Sequence, residues 1–326
     1  MTASGANAIA AALPVAVPLA SKADLLVVFA THNGADWIEQ VLAAYAQQEG
    51  ADFPWALVAV DNASTDSTRA ILDRWQSRLP LVVLDEPRAG KNIALNRALA
   101  SIDNPACDFV FTDDDAVPAP DFILRWKEVL DARPGHGLFG GSVAPDFDAV
   151  DDTVPRRYRP WHAEIYARNC RASGPITPEA IFGPNMAVWG ELIRRGFRFD
   201  ENIGPSSADA AYPMGSETEF CVRVARGAGA KAWFASAPQV RHIVRASQTH
   251  EAFILARAFR HGRGFARMHG PVRRGTMAKL KARARIAVLS LLARIGHVPS
   301  RWDAAWHRGF EAGMQQRSGP TSALPS

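Results

Sequence analysis

The run Asp113-Asp114-Asp115 is the part of the sequence best suited to chemistry. Three adjacent carboxylates repel one another, and a divalent cation relieves that repulsion. Hard oxygen ligands of this kind suit Mg²⁺ or Mn²⁺. An ion held by one or two carboxylates keeps open positions for substrate phosphates. A solvated acidic turn is the competing reading, and an isolated charge run is more often that. Position argues for the ion, because the run directly follows the apolar stretch Phe109–Thr112 and precedes Pro118 and Pro120.

The elements around the run explain how it would be positioned. Leu25–Ala30, Ala56–Val60, Leu81–Leu84 and Phe109–Thr112 read as short buried strands. Between them lie helical patterns: Trp37, Val41, Leu42 and Tyr45; then Ile71, Leu72 and Trp75; then about Lys91 to Ala100. Ser64 and Asp66 read as a helix cap and a first-turn acid. Such alternation predicts an α/β fold with a mostly parallel sheet and helices on both faces. Ligands bind such sheets outside the carboxyl ends of the strands. Thr31, Asp61, Asn62 and Asp113 all fall at those ends.

Beyond Asp115 the pattern changes. A helix is expected at about Asp121–Ala132, strands at Leu138–Val143 and Ile181–Val188, and a helix at Glu217–Gly227. Two further short strands are expected at Ala232–Ala235 and Val240–Ile243. Ala144 to Pro178 has little periodicity, and a loop-rich stretch of that length is usually functional or mobile.

The segments FATHN (Phe29–Asn33), VDNASTD (Val60–Asp66), GKNIALN (Gly90–Asn96) and FTDDDAVP (Phe111–Pro118) resemble the family 2 glycosyltransferases in order and approximate spacing. FGPNMAVW (Phe182–Trp189), the turn Gly196–Asp200 and GSETEFCVRVARGAG (Gly215–Gly229) also look like family elements. The resemblance spans about Leu25 to Arg245 and implies a GT-A fold, a Rossmann-like sheet that holds a nucleoside-diphosphate sugar. It implies that Thr31, Asn33, Asp61 and Asn62 contact the base or ribose, and that Lys91 reaches the diphosphate. Many relatives carry a second Asp where this chain has Asn62; an amide oxygen still accepts a hydrogen bond, but the charge is lost.

The same resemblance reads Asp113-x-Asp115 as a DxD motif. Asp115 would ligate the metal directly, Asp113 would contact the ribose or a metal-bound water, and Asp114 would assist either. His242 is a further candidate for the metal or diphosphate, although a lone His is more often structural. The ion would neutralise the departing nucleoside diphosphate. Glu217 matches the position of the general base, one methylene longer than the usual Asp; Glu219 and a simple helix-capping role are the alternatives. Asn185, Met186 and Glu219 would shape the acceptor side. The implied reaction is an inverting, single displacement onto a hydroxyl of a glycan or lipid-linked saccharide. Trp161, Tyr166 and Trp189 are candidates for stacking on sugar rings and equally for core packing.

The bulk numbers agree with a soluble globular protein. The 326 residues are 48% hydrophobic and 21% charged, with a net charge of +4. Cys107, Cys170 and Cys221 form no metal-ligand spacing and read as small core residues in a reducing compartment. No basic-aromatic module accompanies the positive charge, so no nucleic-acid partner is expected. Residues 1–22 read as a disordered lead-in, 23–247 as the GT-A domain (nucleotide half about 23–118, acceptor half about 119–247), 248–316 as a basic helical C-terminal arm, and 317–326 as a disordered tail. Within the arm, Thr276–Ile295 is a basic amphipathic helix that would lie on an anionic membrane, pack on the domain or pair with a second copy. A cytoplasmic location is the expectation, either free or in peripheral contact with the inner face of the membrane. Two other functions compete: a non-catalytic glycan-binding scaffold on the same fold, and a sugar-1-phosphate nucleotidyltransferase, which would want a Gly-rich loop after the first strand.

Overall fold

The computed structural model describes residues 20–103, 107–132, 135–269 and 275–317. The first part alternates as expected: β1 (Leu25–Thr31), α1 (Ile38–Tyr45), β2 (Trp55–Asp61), α2 (Thr68–Trp75), β3 (Leu81–Asp85), α3 (Lys91–Ser101) and β4 (Asp108–Thr112). Then come β5 (Ala116–Pro118), α4 (Phe122–Ala132), β6 (His136–Asp146), α5 (Thr153–Arg157), α6 (His162–Tyr166), β7 (Gly174–Ile176), β8 (Asn185–Val188), α7 (Gly190–Arg194), α8 (Ser216–Ala228) and β9 (Lys231–Ile243). Three helices close the described residues: α9 (Glu251–His269), α10 (Thr276–Arg294) and α11 (Val298–Arg317).

The sheet runs β3-β2-β1-β4-β8-β6-β9-β5, with β7 beside β9. The first four strands pair parallel, while β8 runs antiparallel to both β4 and β6. Apolar residues fill both faces of β1 and β2, as a sheet covered on both sides requires. Val27, Phe29, Leu57 and Ala59 pack on one side with α1, α2 and α4. Leu26, Val28, Val58 and Val60 pack on the other with α3 and α8.

Register sets the site. Thr31 lies opposite Asp61, so both polar residues emerge at one sheet edge. Ala116 lies opposite His242, which carries His242 next to Asp115. A ladder of rings joins the strand of the acidic run to helix α8: Phe199 meets Phe111 edge-on at 5.1 Å and stacks on Phe220 at 4.4 Å. Each such pair adds about 0.5–1.5 kcal/mol beyond area burial.

Several expectations change. Residues 20–22, assigned to the lead-in, form a 3₁₀ turn with Ala20 fully buried. The rest of the lead-in, and the tail from 318, lie outside the described residues. β8 begins only at Asn185, because a 3₁₀ turn at Pro178–Ala180 precedes it. The two short strands after Lys231 are one strand, β9, with an irregular register opposite Gly141 and Ser142. The loop-rich stretch after Ala144 holds the short elements α5, α6 and β7. Cys107 and Cys221 are buried as expected, but Cys170 is exposed.

The C-terminal arm divides in its packing. Ile254, Ala258, Trp302 and Ala305 from α9 and α11 form one apolar cluster with Tyr158, Ile165, Tyr166 and Val244. Close helix crossing is fixed by Gly262 and Gly309, where an added Cβ would stand 2.0 and 1.9 Å from a backbone carbonyl oxygen. Among the described residues, no helix is long and apolar enough to cross a membrane.

Candidate active site

A cavity of about 610 Å³ opens at the carboxyl ends of β1, β2 and β4. That size suits a nucleotide-sugar-sized ligand. Thr31, Asn62, Lys91, the three acids, Glu217 and His242 all line it.

The acidic run separates into three environments. Asp113 Oδ1 accepts a hydrogen bond from Lys91 Nζ at 2.5 Å. Asp114 turns the other way and accepts from Thr31 Oγ1 at 2.6 Å. Burial, with neighbouring Asp115 adding, pushes Asp114 up to about 7. Asp115 faces His242 Nε2 at 3.0 Å and Arg245 Nη2 at 3.7 Å. Burial alone would raise Asp115, but His242 and then Arg245 outweigh it and hold it at about 2. The adjacent acids thus divide by partner: one leans toward neutrality and another stays firmly ionised.

His242 is oriented from behind. Its Nδ1 donates to the Tyr166 carbonyl at 3.0 Å, which fixes Nε2 toward Asp115. Metal-ligating histidines are commonly held this way. Burial opposes the imidazolium, and the Asp115 carboxylate more than offsets that, so its pKa is raised. Asp113, Asp115 and His242 each offer a ligand atom within 4.8 Å of the others. Two carboxylates and an imidazole are a donor set for a divalent cation.

Lys91 sits at the start of α3 and joins two parts of the site. Its Nζ donates to Glu217 Oε1 at 2.7 Å as well as to Asp113. Burial disfavours its charge, but the two carboxylates prevail and raise its pKa. Glu217 lies in the first turn of α8, behind Gly215, whose φ of 113° an L side chain would strain. Its burial would raise the carboxyl; Lys91 reverses the sign and lowers it. Ser216 Oγ donates to its other oxygen at 2.8 Å.

Other predicted residues do not meet the cavity with free side chains. Asn62 has its amide engaged by the chain: Nδ2 donates to the Glu86 and Arg88 carbonyls, and Oδ1 accepts from Gly90 N. It shapes the loop before Lys91 and has no amide proton left for a base. Asn33, at φ 53°, accepts from Thr65 N and does not line the cavity. Asp61 Oδ1 accepts from Ser64 N at 3.0 Å and so closes the turn after β2; it too is outside the lining.

The residues expected on the acceptor side lie away from the cavity. Asn185 is fully buried and bonds Trp126, Ser142 and Pro238. Met186 is fully buried, its sulfur 3.6 Å from Cys221 Sγ. Their strand, β8, lies in mid-sheet, where its side chains fill the core. Glu219 pairs with Arg223 one helical turn on and stays outside the cavity. The two-residue step from Glu217 to Glu219 turns it about 200° around the helix.

The opposite wall comes from residues that sequence reasoning missed. Glu164 on α6 and Arg257, His261, Phe265 and Met268 on α9 line the cavity. Glu164 Oε2 is buried without a hydrogen-bond partner among the described residues. Arg245 lies over the Trp37 ring at 4.4 Å and brings a guanidinium to Asp115. Gly183 is a close approach, because an added Cβ would stand 2.3 Å from Glu217 Oε1. The α9 spacing of Arg257, His261, Phe265 and Met268 is a helical stripe legible in the sequence, but nothing in it says which side faces a site.

The glycosyl transferase family 2 model matches residues 26–191, about half of the chain. The chain belongs to glycosyl transferase family 2. The glycosyltransferase is similar in fold to the mannosyltransferase PcManGT from Pyrobaculum calidifontis in complex with GDP-Man and Mn²⁺. That likeness has a TM-score of 0.55 and 23% identity, over 90% of this chain and 86% of that one. It is also similar to S. aureus TarS 1-349 in complex with UDP-GlcNAc, with a TM-score of 0.52 and 15% identity, over 90% of this chain and 92% of that one. No curated protein matches the sequence.

Proposed function

We propose that this glycosyltransferase moves a sugar from a nucleoside diphosphate to a hydroxyl of a saccharide or lipid-linked saccharide, by one inverting displacement that depends on a divalent metal. The observation that carries this reading is the Lys91 bridge, which places Glu217 beside the acidic run inside one cavity. Asp113, Asp115 and His242 would hold the ion. Two carboxylates suit Mg²⁺ or Mn²⁺ equally, and the imidazole nitrogen favours the softer Mn²⁺. When bound, the ion supplies charge neutralisation for the departing diphosphate.

The chain's own groups account for the rest. Arg245, steadied on Trp37, adds positive charge at the diphosphate side. Thr31 and Asp114 hold each other and so fix the middle of the acidic run. Glu217, ionised in this arrangement, accepts the proton of the attacking hydroxyl. A diphosphate entering the cavity competes for Lys91. Glu217 then loses its closest cation and becomes a stronger base once the donor is seated. A single displacement needs one base and one charge clamp, whereas a double displacement needs a nucleophilic carboxylate as well. Glu164, Arg257 and His261 are among the polar lining groups that remain for the acceptor.

Thermal shift with a panel of nucleotide sugars, with and without Mn²⁺, tests the reading. A donor should raise the melting temperature only when the metal is present. Absence of stabilisation by any nucleoside diphosphate with Mn²⁺ would remove the first step of the mechanism.

A further inference from the structure

Helix α10 has no buried residue. It packs on α11, and its half-buried residues Ala278, Ala282, Ile286, Leu289 and Ala293 recur at helical spacing along one side. The other side is open. Met277, Leu280, Val288, Leu291 and the following Ile295 are 65%, 60%, 58%, 62% and 76% exposed. At about 100° per residue they fall in an arc of about 80°. Of the large hydrophobics exposed among the described residues, only Phe265 lies outside this segment.

Charge borders the stripe on both flanks. Lys281 and Arg285 fall on one edge, with Lys279, Arg283 and Arg294 beyond the other. No acid occurs from Thr276 to Ile295. A second copy of the same helix would bring cations against cations, and like charges facing each other oppose association. An anionic bilayer presents the complement: acyl chains for the stripe and phosphates for the flanks. The helix is too polar to span, so it would lie in the interface plane.

We propose that α10 docks the enzyme on an anionic lipid surface, with Leu280, Val288, Leu291 and Ile295 entering the headgroup–acyl boundary. None of these residues lines the active-site cavity, so docking and catalysis are separable.

The test is flotation of the full chain with phosphatidylcholine vesicles and with phosphatidylcholine–phosphatidylglycerol vesicles. Binding should be confined to the anionic vesicles and should weaken with salt. The double variant Leu280→Asp, Leu291→Asp should lose at least about tenfold in partition, since each charge resists burial in the boundary. Lys281→Gln with Arg285→Gln should lose about tenfold or more while leaving the apolar stripe intact. Unchanged melting temperature in both variants would show that the fold is kept. Equal binding to neutral vesicles, or unchanged binding by either variant, would overturn the proposal. So would a dimer in light scattering that the Asp variant dissolves.

Discussion

Lys91 Nζ stands 2.7 Å from Glu217 Oε1 and joins residues 126 positions apart. The same ammonium lies 2.5 Å from Asp113, so donor side and base side share one cation. Lys91→Met leaves two half-buried carboxylates close to each other without their shared cation. Donor kcat/KM should fall by about a hundredfold. Lys91 lowers the Glu217 pKa, so its removal should raise that pKa. The acid limb of the pH–rate profile should therefore move to higher pH, and an unmoved limb would separate Lys91 from the base.

Glu217→Gln keeps the shape of the first turn of α8 and removes the proton acceptor. We expect kcat to fall by about 10²- to 10⁴-fold while the donor still raises the melting temperature. Glu219→Gln should change kcat little, because its carboxylate is engaged by Arg223 outside the cavity. Steady-state assays on the two variants decide between them, and a larger loss for Glu219 would reverse the assignment.

Gly183→Ala tests the same base without substituting it. The new Cβ would fall 2.3 Å from Glu217 Oε1, and the carboxylate is the atom able to move. A displacement of about 1 Å costs about a hundredfold in a positioned site. The expected result is a kcat loss of that order with donor affinity retained. Full activity would show that Glu217 need not stand where it does.

The strand-and-helix alternation and the acidic run were legible because they are local: apolar runs, caps and a charge cluster need no distant partner. The Glu217–Lys91 contact, the His242 approach through the β5–β9 pairing, and the α9 wall depend on chain crossings that no spacing encodes. Asn185 and Met186 sit in the core for a related reason. Their motif is recognisable, yet β8 inserts between β4 and β6, and that placement turns both side chains into core. Asn62 marks a sheet edge correctly, but its amide is engaged by backbone, which only the folded loop reveals.

Removal of metal should leave the fold and abolish transfer. Chelation should cancel the donor-induced rise in melting temperature, and added Mn²⁺ should restore it. Asp115→Asn should keep the fold and lose metal-dependent turnover. His242→Ala should raise the Mn²⁺ concentration for half-activity by about tenfold or more. Metal-independent turnover in the Asp115 variant would exclude it as a ligand.

His261 gives a pH signature independent of activity. Burial, aided by Arg257, lowers its pKa from 6.5 to about 4. Trp306 Nε1 donates to its Nδ1 at 3.0 Å, a bond that requires an unprotonated nitrogen. The unfolded chain therefore binds the proton first as pH falls. Stability contributed by the neutral imidazole is complete above about 6.5 and declines toward about 4, by up to about 3 kcal/mol. His261→Gln retains an acceptor for Trp306 and cannot take up the proton. Urea melts across this interval should show a shallower pH dependence for the variant than for the wild type. Parallel curves would mean that His261 titrates normally in the folded protein and that the cavity wall it forms is wetter than its packing implies.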